Sequence, residues 1–151
     1  MSHQNVLSEL TKELQVFLSG EKLVLLGTID AEGNSPSVSA ISWVKSRDER
    51  TVRFAVSSNS RIVSNLRSNP NAVLTIIGLG TVYSINGKVL ILEETMEDVS
   101  LKLAKLEFVV EKIYNSMFWG SKITAEPAFE KTYNVEKAKK LDEQVYSALM
   151  K

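Results

Sequence analysis

The chain has 151 residues, with 18 basic and 18 acidic side chains and a formal net charge of zero. This length suits one domain with its own core, and the balanced charge excludes an overall field that would draw nucleic acid or an anionic membrane, so a charged ligand has to be caught locally. Without cysteine there is no disulfide framework, thiol nucleophile or thiolate metal site, which fits a reducing compartment, by default the cytoplasm.

Val6, Leu7, Leu10, Leu14, Phe17 and Leu18 recur at helical spacing, and Gly20 stands where a C-terminal cap would lie, so an amphipathic helix is predicted to open the chain. Met1 to Leu18 carries neither a basic leader nor an unbroken apolar run, and no later stretch reaches membrane-spanning length, which reads as a soluble protein. Leu23 to Ile29 is an almost continuous apolar run before the turn Asp30-Ala31-Glu32-Gly33 and predicts a central strand covered on both faces. From Val38 to Val44 the residues alternate, with Ser39, Ile41 and Trp43 on one face and Val38, Ala40, Ser42 and Val44 on the other. After the charged turn Ser46 to Arg50, Thr51 to Val56 turns Val52, Phe54 and Val56 inward and should pair as a hairpin with the preceding strand.

Ser60 to Ser68 has Val63 and Leu66 on one side and stops before Asn69-Pro70, a helix of about two turns. Ala72 to Ile77 and Thr81 to Leu92 read as two more strands, with Gly87 marking a bulge or a close approach. From Thr95 onward, Val99, Leu103, Leu106, Val110 and Ile113 form a stripe and Asp98 stands as a capping-box partner, predicting a long helix over the sheet. Ser116-Met117-Phe118-Trp119-Gly120 reads as an apolar loop followed by irregular sequence through Pro127. Asn134 then caps a last helix with the stripe Ala138, Leu141, Val145 and Leu149. Five short strands with hairpin connections, flanked by helices, predict one mainly β domain over residues 1–151, built as a small antiparallel barrel. The apolar surface exceeds what one such barrel must hide, which points to a dimer.

The only histidine is His3, so neither a Ser-His-Asp relay nor a histidine metal site can be assembled. Glu93, Glu94, Glu97 and Asp98 lack the glycine-punctuated spacing of a cation loop and read as a solvated strand end; no metal is expected. Neither GxGxxG nor GxxxxGK[ST] occurs, so the usual glycine-rich phosphate cradles are absent. There remains Ser57-Ser58-Asn59-Ser60-Arg61. A helix beginning near Ser60 would present unpaired N–H groups, a positive dipole end, serine hydroxyls and the Arg61 fork, which are the parts of a phosphate pocket. The same residues also suit a plain helix cap with Arg61 paired to a surface carboxylate.

Taken together, Leu25 to Asp30, Gly33-Asn34-Ser35-Pro36, Phe54-Ala55-Val56, Ser60-Arg61, Asn69-Pro70 and Gly87-Lys88 resemble the pyridoxamine 5'-phosphate oxidase-like family, the flavin-binding split barrels, through about Leu92. The resemblance implies an antiparallel split β-barrel of Greek-key type, a homodimer, and flavin mononucleotide (FMN) at the subunit interface. By position, Ser60 and Arg61 fall where such proteins grip the FMN phosphate, and Ala55 and Val56 on the strand beside the cofactor. Ser39, Ala40, Ile41 and Ser42 would lie along the isoalloxazine ring, Lys45 falls near the oxidase's substrate phosphate, and Trp119 would wall off the flavin or else lie buried in the core. Where the oxidase has a basic residue, a lysine and a glutamine, this chain has Ala40, Ile62 and Val82. Its tail reads as two helical stripes in place of the family's closing strand and substrate motif, so the oxidase activity itself is not expected. The resemblance therefore implies an FMN-dependent oxidoreductase acting on a small organic or nicotinamide substrate. The alternative is a non-catalytic flavin- or other ligand-binding, stress-associated protein; a pocket for haem or a deazaflavin is a third reading, with His3 a poor haem ligand.

Overall fold

The structure is a computed structural model and describes residues 6–151. His3 lies outside the described residues. The elements run α1 (Lys12–Phe17), β1 (Val24–Ile29), β2 (Pro36–Ile41), β3 (Val44–Ser46), β4 (Thr51–Ser57), α2 (Arg61–Ser68), β5 (Asn71–Gly78), β6 (Thr81–Glu93), β7 (Leu103–Asn115) and α3 (Val135–Leu149). The seven strands form one antiparallel sheet in the order β2-β1-β5-β6-β7-β4-β3. Its two edge strands, β2 and β3, are separated in sequence only by Ser42 and Trp43, so the sheet has to curl round until its edges almost meet. That is a split barrel. The β5-β6-β7 meander with β4 laid beside β7 supplies the Greek key, and α2 sits in the β4–β5 connection.

Inside the curl, Val24, Leu26, Phe54, Leu74, Ile76, Ile85, Leu106 and Phe108 are each at most 1% exposed and form the core. Leu14, Phe17 and Leu18 of the α1 region and Ile62, Val63 and Leu66 of α2 join it. The Ser46 N–H donates to the Leu18 carbonyl at the α1 end, while α2 is tied near the far end of β1 through Asn65 and Thr28. The helices therefore help close opposite ends of the barrel. A second cluster lies outside the sheet, where Ala55, Met96 and Leu103 pack against Val145, Ala148 and Leu149 of α3. Trp43 Nε1 donates to Asp142 Oδ1 at 2.8 Å, and the nearly buried Arg53 donates from Nη1 to the Leu149 carbonyl at 2.9 Å, capping the end of α3.

The two-turn helix ending at Asn69-Pro70 and the last helix capped by Asn134 stand as the sequence predicts. Gly87 sits at a register shift between β6 and β7, and a Cβ there would run into the Val109 carbonyl and the Phe108 ring, so both the bulge and the close approach are present.

Other elements differ from the expectation. The opening helix is short: Leu7 is extended and bridges Ile113, because pairing with the sheet satisfies its backbone. Strand β1 is second from the edge, and Leu25, Gly27 and Ile29 are half-exposed instead of covered. The predicted single strand Val38 to Val44 is two. The Val44 N–H donates to the Ser42 carbonyl at a local turn that shifts the alternation, so Val44 joins Ile41 on the core side while Trp43 faces α3. The hairpin partner of β4 is thus β3, and β2 pairs with β1.

The predicted long helix after Thr95 is strand β7, entered through the irregular stretch 94–102. Ala104, Leu106, Phe108 and Val110 alternate into the core, Leu103 is buried on the opposite face beneath α3, and the bulge at Glu111 brings Ile113 back to the core face. Two buried faces and one bulge generate helix-like steps of three and four in a strand. The first of the two helical stripes expected for the tail is therefore a strand.

Candidate functional site

Ser60 is the N-cap of α2, and its Oγ accepts from the Ile62 N–H at 3.0 Å. Its carbonyl accepts the Val63 N–H, and the Arg61 N–H, in the first turn of the helix, has no acceptor among the described residues. Arg61 is 75% exposed at its side chain. Its Nη2 donates to Asp30 Oδ2 at 3.1 Å and approaches Ser37 Oγ at 3.5 Å. The cap reading is physically present, with Ser60 capping and Arg61 paired to a carboxylate, while the exposed remainder of the guanidinium faces outward.

Asp30 belongs to the turn between β1 and β2. Its Oδ1 accepts from the Glu32 N–H at 2.9 Å, its N–H donates to the Ser35 carbonyl, and its carbonyl accepts from Asn34. The Glu32 N–H holds its carboxyl below the ordinary range most strongly; burial opposes this, and the Gly33 N–H and the Arg61 charge add to the lowering. Buried Asn65 fixes α2 against this turn by accepting from the Ala31 N–H at 2.9 Å and donating to Thr28 Oγ1 at 3.1 Å.

An open groove of about 600 Å³ lies on the outer face of the sheet, where the backbone of Ser37 lines its edge while the Ser37 side chain, paired opposite buried Thr28, is on the inner side of β2. Gly27, Val38 and Val73 contribute small or apolar surface, and Ser84, Asn86 and Tyr114 add polar groups at the β6–β7 side. The volume lies within the span of small-molecule sites, roughly 300–1,000 Å³. The groove exists because the outer faces of β1 and β5 are left half-covered, and Gly27 keeps its floor low: a Cβ there would stand 2.6 Å from Val73 Cγ1.

The other residues nominated from sequence lie apart from this edge. Ser39 and Ile41 lie on the inner side of β2 and are half-buried, and exposed Ala40 shares the outer face with Val38. The Ser42 carbonyl accepts the Tyr146 hydroxyl of α3 at 2.9 Å. Lys45 is half-buried on β3 opposite Arg53. Ala55 is 2% exposed beneath α3, whereas Val56, at 7%, faces the barrel core. Trp119 is 92% exposed and Phe118 70%, which rules out the core alternative for Trp119. Among the three departures, Ile62 is turned into the core and Val82 is half-buried. The structure thus brings Ser60 and Arg61 to the end of the β1–β2 hairpin and adds two residues that sequence reasoning passed over, Asp30 and Ser37. Only the turn signal of Asp30-Ala31-Glu32-Gly33 was available to find the first.

Among the described residues, no three histidine, cysteine or acidic side chains gather as a metal site. No described helix is long and apolar enough to cross a membrane.

The family model described as pyridoxamine 5'-phosphate oxidase matches residues 10–127. The chain belongs to this family. The match runs beyond the resemblance visible in sequence and includes β7, the strand that had looked helical. Solved structures share the fold at low identity. HupZ from Group A Streptococcus is 16% identical over 75% of this chain and 98% of its own, with a TM-score of 0.60. General Stress Protein 26 from Bacillus anthracis is 12% identical over 73% and 97%, at 0.56. An FMN-binding protein from Syntrophomonas wolfei is 14% identical over 70% and 84%, at 0.54. No curated protein matches the sequence of this pyridoxamine 5'-phosphate oxidase family member.

Proposed function

We propose that this protein binds FMN as a homodimer, with the cofactor between subunits, and acts in the cytoplasm as a flavin-dependent oxidoreductase on a small organic or nicotinamide substrate. The observation that carries the reading is an exposed cation, Arg61, at the capped start of α2, beside the β1–β2 hairpin whose outer face carries an open groove. The residues fit a phosphate ester: the Arg61 fork, the Arg61 backbone N–H, and the Ser60 hydroxyl, whose oxygen accepts within the helix while its hydrogen is free to donate. Gly27, Val38 and Val73 would give the flat, apolar bed that a ring system needs, with Ala40 continuing it along β2. When bound, FMN would supply hydride or electron transfer. The exposed Phe118-Trp119 tip is suited to excluding water from a partner's site.

Titration of the purified protein with FMN tests this. Arg61→Ala should weaken binding by about ten- to a hundredfold, the worth of one charge-assisted contact. No binding by the wild type, or an Arg61→Ala variant that titrates like it, overturns the reading.

A second reading, flavin binding without turnover, is favoured by Ala40, Ile62 and Val82. Ile62 is only 8% exposed, so α2 offers no second cation at that position. It predicts a bound flavin that nicotinamide cofactors do not reduce in stopped-flow mixing.

A further inference from the structure

Arg61 and Asp30 are not a chance surface pair. Asp30 Oδ1 is held by the Glu32 N–H at 2.9 Å, which leaves Oδ2 to face Arg61 Nη2 at 3.1 Å. The turn bearing Asp30 and the helix bearing Arg61 are fastened together by Asn65, 3% exposed, through Ala31 and Thr28. Carboxylate and cation are therefore mounted on parts that keep a set separation. A guanidinium fork accepts a carboxylate or a phosphate in the same planar geometry.

We propose that Asp30 is an internal anion that holds Arg61 in the ligand-free protein and competes with the ligand's phosphate for it, so that Asp30 sets the affinity for FMN. The inference rests on the FMN reading above. An incoming phosphate must either draw Arg61 away from Asp30 or bind its outward edge with a carboxylate close by. Either route costs binding free energy that the Asp30 charge imposes. Ser37, 3.5 Å from the same nitrogen, can keep a neutral hydrogen-bond partner on Arg61 once Asp30 is displaced. Glu32 lies in the same turn and is exposed, and its backbone, not its carboxylate, is what holds Asp30. It therefore separates a specific competitor from the general effect of a nearby negative charge.

The experiment is FMN titration of the full chain as wild type, Asp30→Asn, Glu32→Gln, Arg61→Ala and the double variant Asp30→Asn/Arg61→Ala. Asparagine keeps an oxygen for the Glu32 N–H, so the turn is preserved. Asp30→Asn should tighten binding by about two- to fivefold, the range of exposed ion pairs, and more than Glu32→Gln does. The gain should vanish when Arg61 is alanine. If Asp30→Asn binds no tighter than Glu32→Gln, or keeps its gain without Arg61, Asp30 has no such role; with Arg61→Ala still weakened, the FMN reading survives. If neither wild type nor Asp30→Asn binds FMN, both fall together.

Discussion

Arg61 shows how one residue serves an architectural and a chemical purpose. It extends the helix start capped by Ser60, crosses to Asp30 on a turn 31 residues earlier in the chain, and keeps most of its surface open. Because the folded carboxyl of Asp30 titrates below its ordinary range, its contribution to stability is fully present above the unfolded value of about 4 and is lost as pH falls through the depressed folded value. Asp30→Asn should therefore lose less stability than wild type between pH 7 and pH 3. Urea midpoints at the two pH values measure this; equal losses would mean that Asp30 does not contribute to the acid limb. The N-cap and the nearby cation were legible in Ser57 to Arg61, because a cap and its helix are neighbours in sequence. The partner carboxylate was not, because nothing local to Asp30 signals that α2 will be pinned beside it.

Among the elements, β7 was the hardest to read. Its apolar residues fall at steps of three and four because α3 buries Leu103 on one face while the bulge at Glu111 resets the phase on the other. The facing bulge residue, Gly87, was legible, since glycine inside a strand run has few other uses. Gly87→Ala should destabilise the protein by about 2–3 kcal/mol, because the added methyl meets backbone oxygen and a fully buried ring. Chemical denaturation checks this, and a variant within about 0.5 kcal/mol of wild type would mean that the bulge yields easily. Helix α3 was itself visible in its stripe and its Asn134 cap, but its docking place was not. It covers Ala55, engages Ser42 through Tyr146 and takes Arg53 at its end. Part of the strand surface that the family resemblance assigns to a cofactor is thus closed by the chain's own C-terminal helix, leaving the Arg61 end and the β1–β5 face open.

For the molecule as a whole, curling the sheet brings its two edge strands near each other but leaves apolar outer surface at Val38, 69% exposed, and at the Phe118-Trp119 tip. If a second copy covers these, sedimentation should show a dimer that Val38→Asp together with Trp119→Ser converts to monomer while the barrel stays folded. A wild type that sediments as a monomer at all concentrations would remove the interface, and with it a cofactor shared between subunits. The sequence by itself determined the mainly β class, the capped helix α2, the glycine in β6 and the final helix, since each depends on propensity and pattern over a few neighbouring residues. Only the tertiary structure decided that β2 and β3 separate to opposite edges of one curled sheet, that β7 is a strand, that Ala55 lies under α3, and that Arg61 is held by Asp30. Those outcomes depend on register and on contacts between residues dozens of positions apart, where burial on a second face or one bulge overrides what the local pattern favours.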